Sequence, residues 1–495
     1  MLATQRYRPS LALLTDLYQI TMAAGYVREG MAERRASFTL SFRNNPFKGG
    51  YAVACGLADA ADFLANLRFT GEDIDYVRTL KGNDGRPLFD DGFLQWLRDF
   101  RLTCDVDAMP EGTVCFPHEP LVRVTGPLAQ CQLLETPLLT MINFGTLIAT
   151  KASRVRWAAG TDRVLEFGMR RAQGIDGALS VARASYIGGC DATSDVLAGR
   201  LYGIPVAGTH AHSWVMSFGD ELEAFRAYAD AMPNNATFLV DTYDTLQGVR
   251  HAVEVGRTLR ERGHRLAGIR LDSGDLAYLS IGARKILDEA GFTDAKILAS
   301  SELDERLIQS LKLQGAKIDI WGVGTKLATA FDQPALGGVY KLGAIQDADG
   351  RWVRRIKLSE QAVKVNNPGI LQVRRFGTPE NWLGDAIWDE LTPPPPGDWT
   401  IVDPADPTRR KVFAAGTPWR DVLVPVFRGG ERVLADEPIE EARERCRREL
   451  GGLHPSIRRF DNPHGYPAGL ELGLHDLKMD LILRARGLKG GDRRP

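Results

Sequence analysis

The sequence has no excess of either charge and no long apolar run, and each absence excludes a class of protein. Its 62 Lys and Arg residues nearly balance its 63 Asp and Glu residues, so the net charge of the 495-residue chain is −1. A protein built to wrap nucleic acid needs a basic excess to neutralise phosphates. A membrane-spanning helix needs about 18 or more consecutive apolar residues. We therefore expect neither a nucleic-acid partner nor a membrane partner.

Cysteine is scarce and has no regular spacing. The six cysteines are scattered and form no CxxC pair, which argues against a secreted disulfide framework and a structural zinc site. The amino-terminal residues also lack the charged segment and apolar stretch of a secretory signal. Together these features predict a cytoplasmic protein.

The middle of the chain alternates between strand-like and helix-like segments. Segments long enough for a helix separate most of the short apolar runs, and residues 243–262 show helical spacing of apolar and small positions. Such alternation predicts a parallel α/β core, either an open doubly wound sheet or a closed barrel. The predicted strands are 164–167, 204–207, 237–240, 266–271, 296–299 and 317–321. Helix caps are expected at Ser194 and Ser301.

On either side of this middle region, the sequence predicts short strands, turns and isolated helices. A long helix is predicted over 133–157, leading into the core, and a charged helix over 436–450. Residues 412–433 alternate like two strands around Arg428-Gly429-Gly430, and the last ten residues resemble a disordered tail.

Reactive side chains follow the predicted strands. Phe167 and the neighbouring Arg170 and Arg171 could stack on an aromatic ring and bind an anion, although surface charge is the commoner role of an Arg pair. His210 and His212 follow the next strand. They could form a metal pair, supply one reactive imidazole, or serve as structural histidines.

Carboxylates and glycines follow the later strands. Asp241 and Asp272 stand at strand ends, where vicinal carboxylates suit Mg²⁺ or ribose hydroxyls. Asp275 could equally cap the next helix. The run from Gly322 to Lys326 could cradle a phosphate through backbone N–H groups. These segments predict a phosphate-bearing, ribose-like substrate and a second, small anionic or aromatic substrate.

Seven segments, in order along nearly the whole chain, resemble the nicotinate phosphoribosyltransferases. None of them is specific alone, but their combination is. They are LLTDLYQITMAAGY (13–26), EFGMRRAQGIDGALSVARASYIGG (166–189), GIPVAGTHAHSWV (203–215), LVDTYDT (239–245), GIRLDSGDL (268–276), WGVGTKL (321–327) and QPALGGVYKL (333–342).

The resemblance implies a reaction. Nicotinate attacks the anomeric carbon of 5-phosphoribosyl 1-pyrophosphate, giving nicotinate mononucleotide and pyrophosphate with the help of Mg²⁺. ATP is a co-substrate whose hydrolysis is coupled through a phosphorylated histidine, which the family motif places at His212. His210 occupies a position where the family does not require histidine, so its role is left open.

The resemblance also assigns roles to other residues. Asp241 and Asp272 join His212 as catalytic residues and are the candidate Mg²⁺ ligands. Nicotinate binding falls to Tyr18, Phe167, Arg170, Thr209 and Arg270, and phosphoribosyl and pyrophosphate binding to Gly322, Gly324 and Thr325. Tyr18 would come from the neighbouring subunit, which implies a homodimer with a shared site.

The implied fold is an irregular parallel α/β barrel with a second α+β domain built from both flanks. The expected boundaries are 1–150 for the first flank and linking helix, 151–345 for the barrel, 346–485 for the second flank and 486–495 for the tail.

Three other functions fit parts of the pattern. A nicotinamide phosphoribosyltransferase is the nearest alternative, but its neutral substrate does not need the Arg170-Arg171 pair. A metal-dependent amidohydrolase would use His210 and His212 as ligands and would need further histidines at strand ends. A non-catalytic relative is the third alternative. The presence of all the candidate site residues together argues against it, because a protein without activity would not need them.

Overall fold

The protein is mixed α/β, and the computed structural model describes residues 10–360 and 365–488. The chain forms two compact units. One combines the residues up to Leu147 with those from Ala335 onward, and the other runs from Ile148 to Pro334. Most of the predicted disordered tail, residues 489–495, lies outside the described residues.

The strands are numbered in chain order. They are β1 (Arg35–Phe42), β2 (Ala52–Val53), β3 (Asp105–Ala108), β4 (Val114–Cys115), β5 (Val122–Pro127), β6 (Arg163–Glu166), β7 (Ala192–Thr193), β8 (Thr237–Leu239), β9 (Gly268–Leu271), β10 (Lys296–Ala299), β11 (Ile320–Val323), β12 (Gly338–Gln346), β13 (Trp352–Arg354), β14 (Leu371–Thr378), β15 (Asn381–Asp389), β16 (Trp399–Val402), β17 (Arg410–Phe413), β18 (Trp419–Asp421), β19 (Val424–Arg428), β20 (Glu431–Arg432) and β21 (Ala468–Glu471).

The α-helices are numbered in the same way. They are α1 (Leu17–Arg28), α2 (Leu57–Asn66), α3 (Gly71–Thr79), α4 (Asp91–Asp99), α5 (Leu128–Leu133), α6 (Glu135–Ala159), α7 (Ile175–Gly188), α8 (Val196–Tyr202), α9 (His212–Met216), α10 (Glu221–Ala231), α11 (Thr245–Glu261), α12 (Leu276–Glu289), α13 (Glu305–Leu313), α14 (Thr325–Ala328), α15 (Ile439–Gly451) and α16 (Leu472–Ala485).

A six-stranded parallel sheet organises the unit from Ile148 to Pro334. Its strand order is β7–β6–β11–β10–β9–β8, and α11, α12 and α13 connect its last four strands. Val164, Phe238, Ile269 and Ile297 are fully buried on these strands, as expected for a sheet covered by helices. The predicted parallel α/β core is thus confirmed.

Closure of this sheet into a barrel is not confirmed. Strands β7 and β8 are outermost, and no ladder joins them within residues 10–360 and 365–488. An isolated parallel bridge between Thr193 and Val206 extends the pairing beyond β7. The predicted strand at 204–207 is therefore reduced to this single bridge.

An aspartate caps each of the three helices that connect β8, β9, β10 and β11. The side chains of Asp244, Asp275 and Asp304 accept from the backbone N–H groups of the first helical turns of α11, α12 and α13. Such caps satisfy donors that the helix itself leaves free. The caps expected at Ser194 and Ser301 are wrong: Asp195 caps α8 and Asp304 caps α13.

The other unit contains two larger sheets that are mainly antiparallel. One has the strand order β13–β12–β1–β5–β3–β19–β20, and the other has the order β17–β16–β21–β15–β14–β18. Arg375 is buried in the second sheet and forms ion pairs with Asp385 and Glu449 at 2.6 and 2.5 Å. A buried guanidinium of this kind requires such partners.

Two predictions for the flanks can be compared with this unit directly. The single helix expected over 133–157 is wrong at its start, because a break at Leu134 separates α5 from α6. The two strands predicted over 412–433 are confirmed only around Arg428, where β19 pairs with β20, because β17 and β18 in the same range belong to another sheet. Gly429 and Gly430 turn the chain between β19 and β20 with φ angles of 57° and 86°, which suits a tight turn.

All six cysteines are buried, and none is in a disulfide. None of the helices in the described residues is long and apolar enough to cross a bilayer.

Candidate active site

His212 faces two carboxylates at one edge of the parallel sheet. Asp241 follows β8 and Asp272 follows β9, and these strands are neighbours, so their carboxyl ends bring the two side chains together. The Nε2 atom of His212 lies 3.9 Å from Oδ1 of Asp241 and 3.8 Å from Oδ2 of Asp272. Its Nδ1 atom lies 3.1 Å from Oγ1 of Thr242. One ring nitrogen is therefore held in place, and the other faces the carboxylates.

Asp241 is held by one of its two oxygens. Its Oδ2 atom accepts from the backbone N–H of Asp272 at 2.9 Å and from the hydroxyl of Ser273 at 2.6 Å. Its side chain is 1% exposed, yet Oδ1 has no hydrogen-bond partner among the described residues. A buried carboxylate oxygen without a donor is unusual in a native protein. Its position beside His212 makes it a candidate ligand for a cation.

A hydrogen-bond network orients Asp272. Its Oδ1 atom accepts from Arg270 at 2.9 Å and from the hydroxyl of Ser300. Burial alone would raise the pKa of Asp272, but the hydrogen bonds from Ser300 and Arg270, with the positive charges of Arg270 and His212, outweigh it and lower that pKa. Asp272 is thus held as a carboxylate.

Arg270 links this network to Thr209 and Phe167. Its guanidinium donates to Oγ of Ser300 at 2.8 Å and to Oγ1 of Thr209 at 3.2 Å. The same group lies 5.7 Å from the centre of the Phe167 ring. A cation beside an aromatic face can bind an aromatic carboxylate by ion pairing and stacking.

Gly322 makes room for the Phe167 ring. A Cβ atom at Gly322 would lie 2.7 Å from Cδ2 of Phe167, which is closer than atoms can pack. Gly324 precedes the short helix α14. Thr325 donates its hydroxyl to Glu302 at 3.2 Å. Of the three residues assigned to phosphate binding, Gly322 lies within β11 and Gly324 and Thr325 follow it, and Gly322 has a clear steric role against Phe167.

Phe167 and Thr209 line a cavity of about 690 Å³. Leu165, Thr237, Gly268, Leu298 and Ile320 contribute to its wall from five strands. Because five strands surround one space, the parallel sheet is curled around it.

Two of the predicted site residues have exposed side chains and take no part in the hydrogen bonds described above. Arg170 is exposed on a short 3₁₀ turn, and neither it nor Arg171 forms an ion pair within the described residues. Tyr18 lies on α1 in the other unit and is 48% exposed. Partial burial, with the charges of Glu135 and Asp16, raises the pKa of its phenol.

His210 and His212 do not share a face. The chain turns into helix α9 at His212, so the two rings have different surroundings. His210 is buried and its Nε2 atom accepts from the backbone N–H of Leu239 at 3.1 Å. In the described residues no group of three or more His, Cys, Asp and Glu side chains is arranged to hold a metal, and the geometry of an HxH metal pair is absent from this segment.

Sequence reasoning missed the residues that support the site. Ser300 follows β10, and only the parallel order of the strands brings it beside Asp272. Glu166 is buried, and burial raises its pKa; it accepts from Oγ1 of Thr193 at 2.6 Å and from the backbone N–H of Gly168. These bonds anchor the loop that carries Phe167. The position of Glu166 directly before Phe167 in the sequence was the one signal that could have pointed to it.

A basic pocket lies in the other unit and was also missed. Arg43, His118 and Lys341 line a small cavity of about 30 Å³. Burial lowers the pKa of His118 to about 4, assisted by the charges of Lys478 and Arg43. Burial also lowers the pKa of Lys478 to about 8.

Family models match three successive parts of the chain. Residues 13–143 match the nicotinate phosphoribosyltransferase N-terminal domain, residues 163–350 match the nicotinate phosphoribosyltransferase family, and residues 372–478 match the C-terminal domain. The chain belongs to the nicotinate phosphoribosyltransferase family.

Individual nicotinate phosphoribosyltransferases are similar over almost their whole length. The protein of Bacillus subtilis (strain 168) is 44% identical over 476 residues, covering 96% of this chain and 95% of the relative. The human protein is 38% identical and covers 94% and 95%. A crystal structure of human nicotinic acid phosphoribosyltransferase superposes with a TM-score of 0.82 and 33% identity, covering 94% of this chain and 99% of that one.

These similarities do not favour the alternative functions. Nicotinate phosphoribosyltransferases from bacteria, plants and animals match over nearly the whole chain. The metal-dependent amidohydrolase also lacks support in the geometry, since His210 is committed to Leu239.

Proposed function

We propose that this enzyme transfers the phosphoribosyl group of 5-phosphoribosyl 1-pyrophosphate to nicotinate, forming nicotinate mononucleotide and pyrophosphate for NAD biosynthesis. The observation that carries the proposal is the arrangement of His212 with Asp241 and Asp272 at the strand ends, within a chain of this family. A cytoplasmic location is part of the proposal and is supported by six cysteines that form no disulfide.

Nicotinate binds beside Phe167 in this proposal. Its ring stacks on Phe167, and its carboxylate pairs with Arg270, which Thr209 and Ser300 hold in position. Arg170 adds positive charge at the mouth of the site. Fixing the ring nitrogen against the anomeric carbon is most of what such a reaction needs from the protein.

The phosphoribosyl group and the pyrophosphate lie over the strand ends. Gly324 and Thr325 offer backbone N–H groups, and Gly322 lets Phe167 approach. The cleavage of the glycosidic bond builds positive charge on the ribose and negative charge on the pyrophosphate. The carboxylates of Asp241 and Asp272 stabilise the first of these charges.

Mg²⁺ fits the same two carboxylates. Oδ1 of Asp241 is buried without a donor, and Oδ2 of Asp272 faces the same space. Mg²⁺ is commonly bound through one or two carboxylates, completed by water and substrate phosphates. When bound, the ion would neutralise charge on the departing pyrophosphate.

ATP acts through His212. The contact of Nδ1 with Thr242 leaves Nε2 available, so Nε2 is the proposed phosphoryl acceptor. An N–P bond forms as the bond between the β- and γ-phosphates of ATP breaks and ADP leaves. Phosphorylation of His212 next to the carboxylates adds negative charge, which increases the need for a cation at this site.

The active unit is a homodimer in this proposal. Tyr18 is exposed on α1, available to cover the pyridine ring in a neighbouring subunit. A homodimer would then be required for full activity.

A product assay tests the function. The enzyme receives Mg²⁺ and 5-phosphoribosyl 1-pyrophosphate with either nicotinate or nicotinamide, each with and without ATP, and both mononucleotides are quantified. We expect product from nicotinate, increased by ATP. Product mainly from nicotinamide would overturn the assignment of the base, and no product from either would overturn the assignment of the reaction.

A further inference from the structure

His210 connects two segments that carry the reactive groups. It lies next to Thr209, which accepts from Arg270, and two residues before His212. Its Nε2 atom accepts from the backbone N–H of Leu239, two residues before Asp241. The hydrogen bond thus joins the two segments at equal distances along the chain from His212 and Asp241.

The Leu239 N–H group is at an open edge of the sheet. The backbone N–H of the next residue, Val240, donates to the carbonyl of Arg270 in β9. Since successive N–H groups of a strand point in opposite directions, the Leu239 group points away from β9, where no further strand pairs with β8 in the described residues. Leu239 is 1% exposed, so its N–H group needs an internal acceptor. The His210 ring supplies that acceptor in place of a strand.

The surroundings of His210 keep it neutral. A ring that accepts at Nε2 carries its proton on Nδ1, which lies 3.3 Å from the carbonyl oxygen of Ala211. Burial lowers the pKa of His210, and the charges of Arg270 and His212 lower it further against the opposing bond to Ala211. The ring packs edge-on against Tyr228, with centroids 4.8 Å apart. It is fixed in orientation as well as in protonation state.

We propose that His210 is a positioning residue that holds the 208–212 segment against the end of β8. In this role it sets the distance between His212 and the carboxylates of Asp241 and Asp272. It contacts no substrate in the reaction proposed above, on which this inference rests. A displacement of about 1 Å in a reacting group can lower a rate by about 100-fold.

Two variants of His210 separate the hydrogen bond from the volume of the ring. His210→Leu removes the acceptor and fills the space with an apolar side chain. His210→Gln instead places an amide oxygen near the position of Nε2. We expect His210→Leu to lower the ATP-stimulated kcat about tenfold or more and to reduce phosphate incorporation at His212. His210→Gln should keep kcat within about threefold of the wild type.

Phe225→Leu is the matched control. Phe225 is fully buried and packs 4.7 Å from Phe238 and 6.1 Å from the His210 ring. The variant loosens the aromatic packing of Phe225 against Phe238 and His210, and it leaves the hydrogen bond between Leu239 and His210 intact. We expect it to lower Tm while kcat per folded molecule stays near the wild-type value.

Amide hydrogen exchange at Leu239 supplies a readout that is independent of activity. Exchange should accelerate in His210→Leu and remain slow in His210→Gln. Equal kcat in His210→Leu and the wild type, or equal loss of kcat in Phe225→Leu and His210→Leu, would overturn the positioning role. A wild-type enzyme without product would instead contradict the proposed function, and the exchange experiment would still report on the His210 bond.

Discussion

The carboxylate of Asp241 accepts a hydrogen bond from the backbone N–H of Asp272 at 2.9 Å. One candidate catalytic residue therefore fixes the main chain of the other, and the bond joins the ends of two neighbouring parallel strands. Because Oδ2 of Asp241 is used in this way, Oδ1 is left to face His212. Because Oδ2 holds the backbone of Asp272 and Oδ1 faces His212, we expect substitution of Asp241 to affect the site.

Asp241→Asn should lower phosphoribosyl transfer by about 100-fold or more, since one preorganised electrostatic group is commonly worth that much. The amide can still accept from Asp272, so the fold should persist. Steady-state kinetics over a range of Mg²⁺ concentrations measures both effects. Asp275→Asn is the control, because Asn caps a helix about as well as Asp and Asp275 is the cap of α12. Activity of Asp241→Asn near that of this control would contradict the role of Asp241.

His212→Ala should abolish the stimulation by ATP and leave some transfer without ATP. The reason is that coupling requires a phosphoryl acceptor, whereas positioning of the base and the donor does not. The measurements are nicotinate mononucleotide formation with and without ATP, and incorporation of labelled phosphate from ATP in an acid-labile form. His454→Ala, at a histidine bonded to Ser456 in the other unit, should behave like the wild type. Full ATP stimulation in His212→Ala would exclude the phosphohistidine.

Gly322→Ala should raise the KM for nicotinate by about tenfold and leave the KM for 5-phosphoribosyl 1-pyrophosphate nearly unchanged. The added Cβ would lie 2.7 Å from the Phe167 ring, so the ring must move from its position beside Arg270. A shift of this kind costs on the order of 1 kcal/mol or more. Gly177→Ala is a suitable control, because open space surrounds its Cβ position. A rise confined to the KM of the phosphoribosyl donor would show that Gly322 serves phosphate binding instead.

Ser300→Ala should move the acid limb of the pH–activity profile to higher pH. The pKa of Asp272 is below its ordinary value, so its ionised form stabilises the fold above about pH 3.9, the ordinary pKa of Asp. That stabilisation is lost as the pH falls through the lowered folded-state pKa. Without the Ser300 donor, the pKa of Asp272 rises and protonation begins at higher pH. Ser310→Ala, on the exposed side of α13, should leave the profile unchanged.

Local pattern was sufficient to predict the parallel core and the strand ends that carry Asp241 and Asp272. Short apolar runs such as Ile297 to Ala299 are buried on both faces, and this pattern is visible in any one strand. The same holds for the interpretation of Asp275 as a cap, which the structure confirms.

The remaining features depend on distant contacts. Ser300 and Asp272 are 28 residues apart and meet only because β9 and β10 are neighbours. The different surroundings of His210 and His212 depend on where the chain turns into α9. A sequence pattern specifies neither the strand order nor the path of an edge segment, so the supporting hydrogen bonds could not be foreseen.

Mixed dimers test the proposed contribution of Tyr18 from a neighbouring subunit. Tyr18→Ala and His212→Ala should each lack ATP-stimulated activity, because each variant damages every site of its own homodimer. After subunit exchange in equal amounts, half of the dimers combine both variants, and one site of each such dimer contains both intact residues. About one quarter of the wild-type ATP-stimulated activity should therefore return. If native mass spectrometry confirms exchange and the activity does not return, Tyr18 acts within its own chain or not at all.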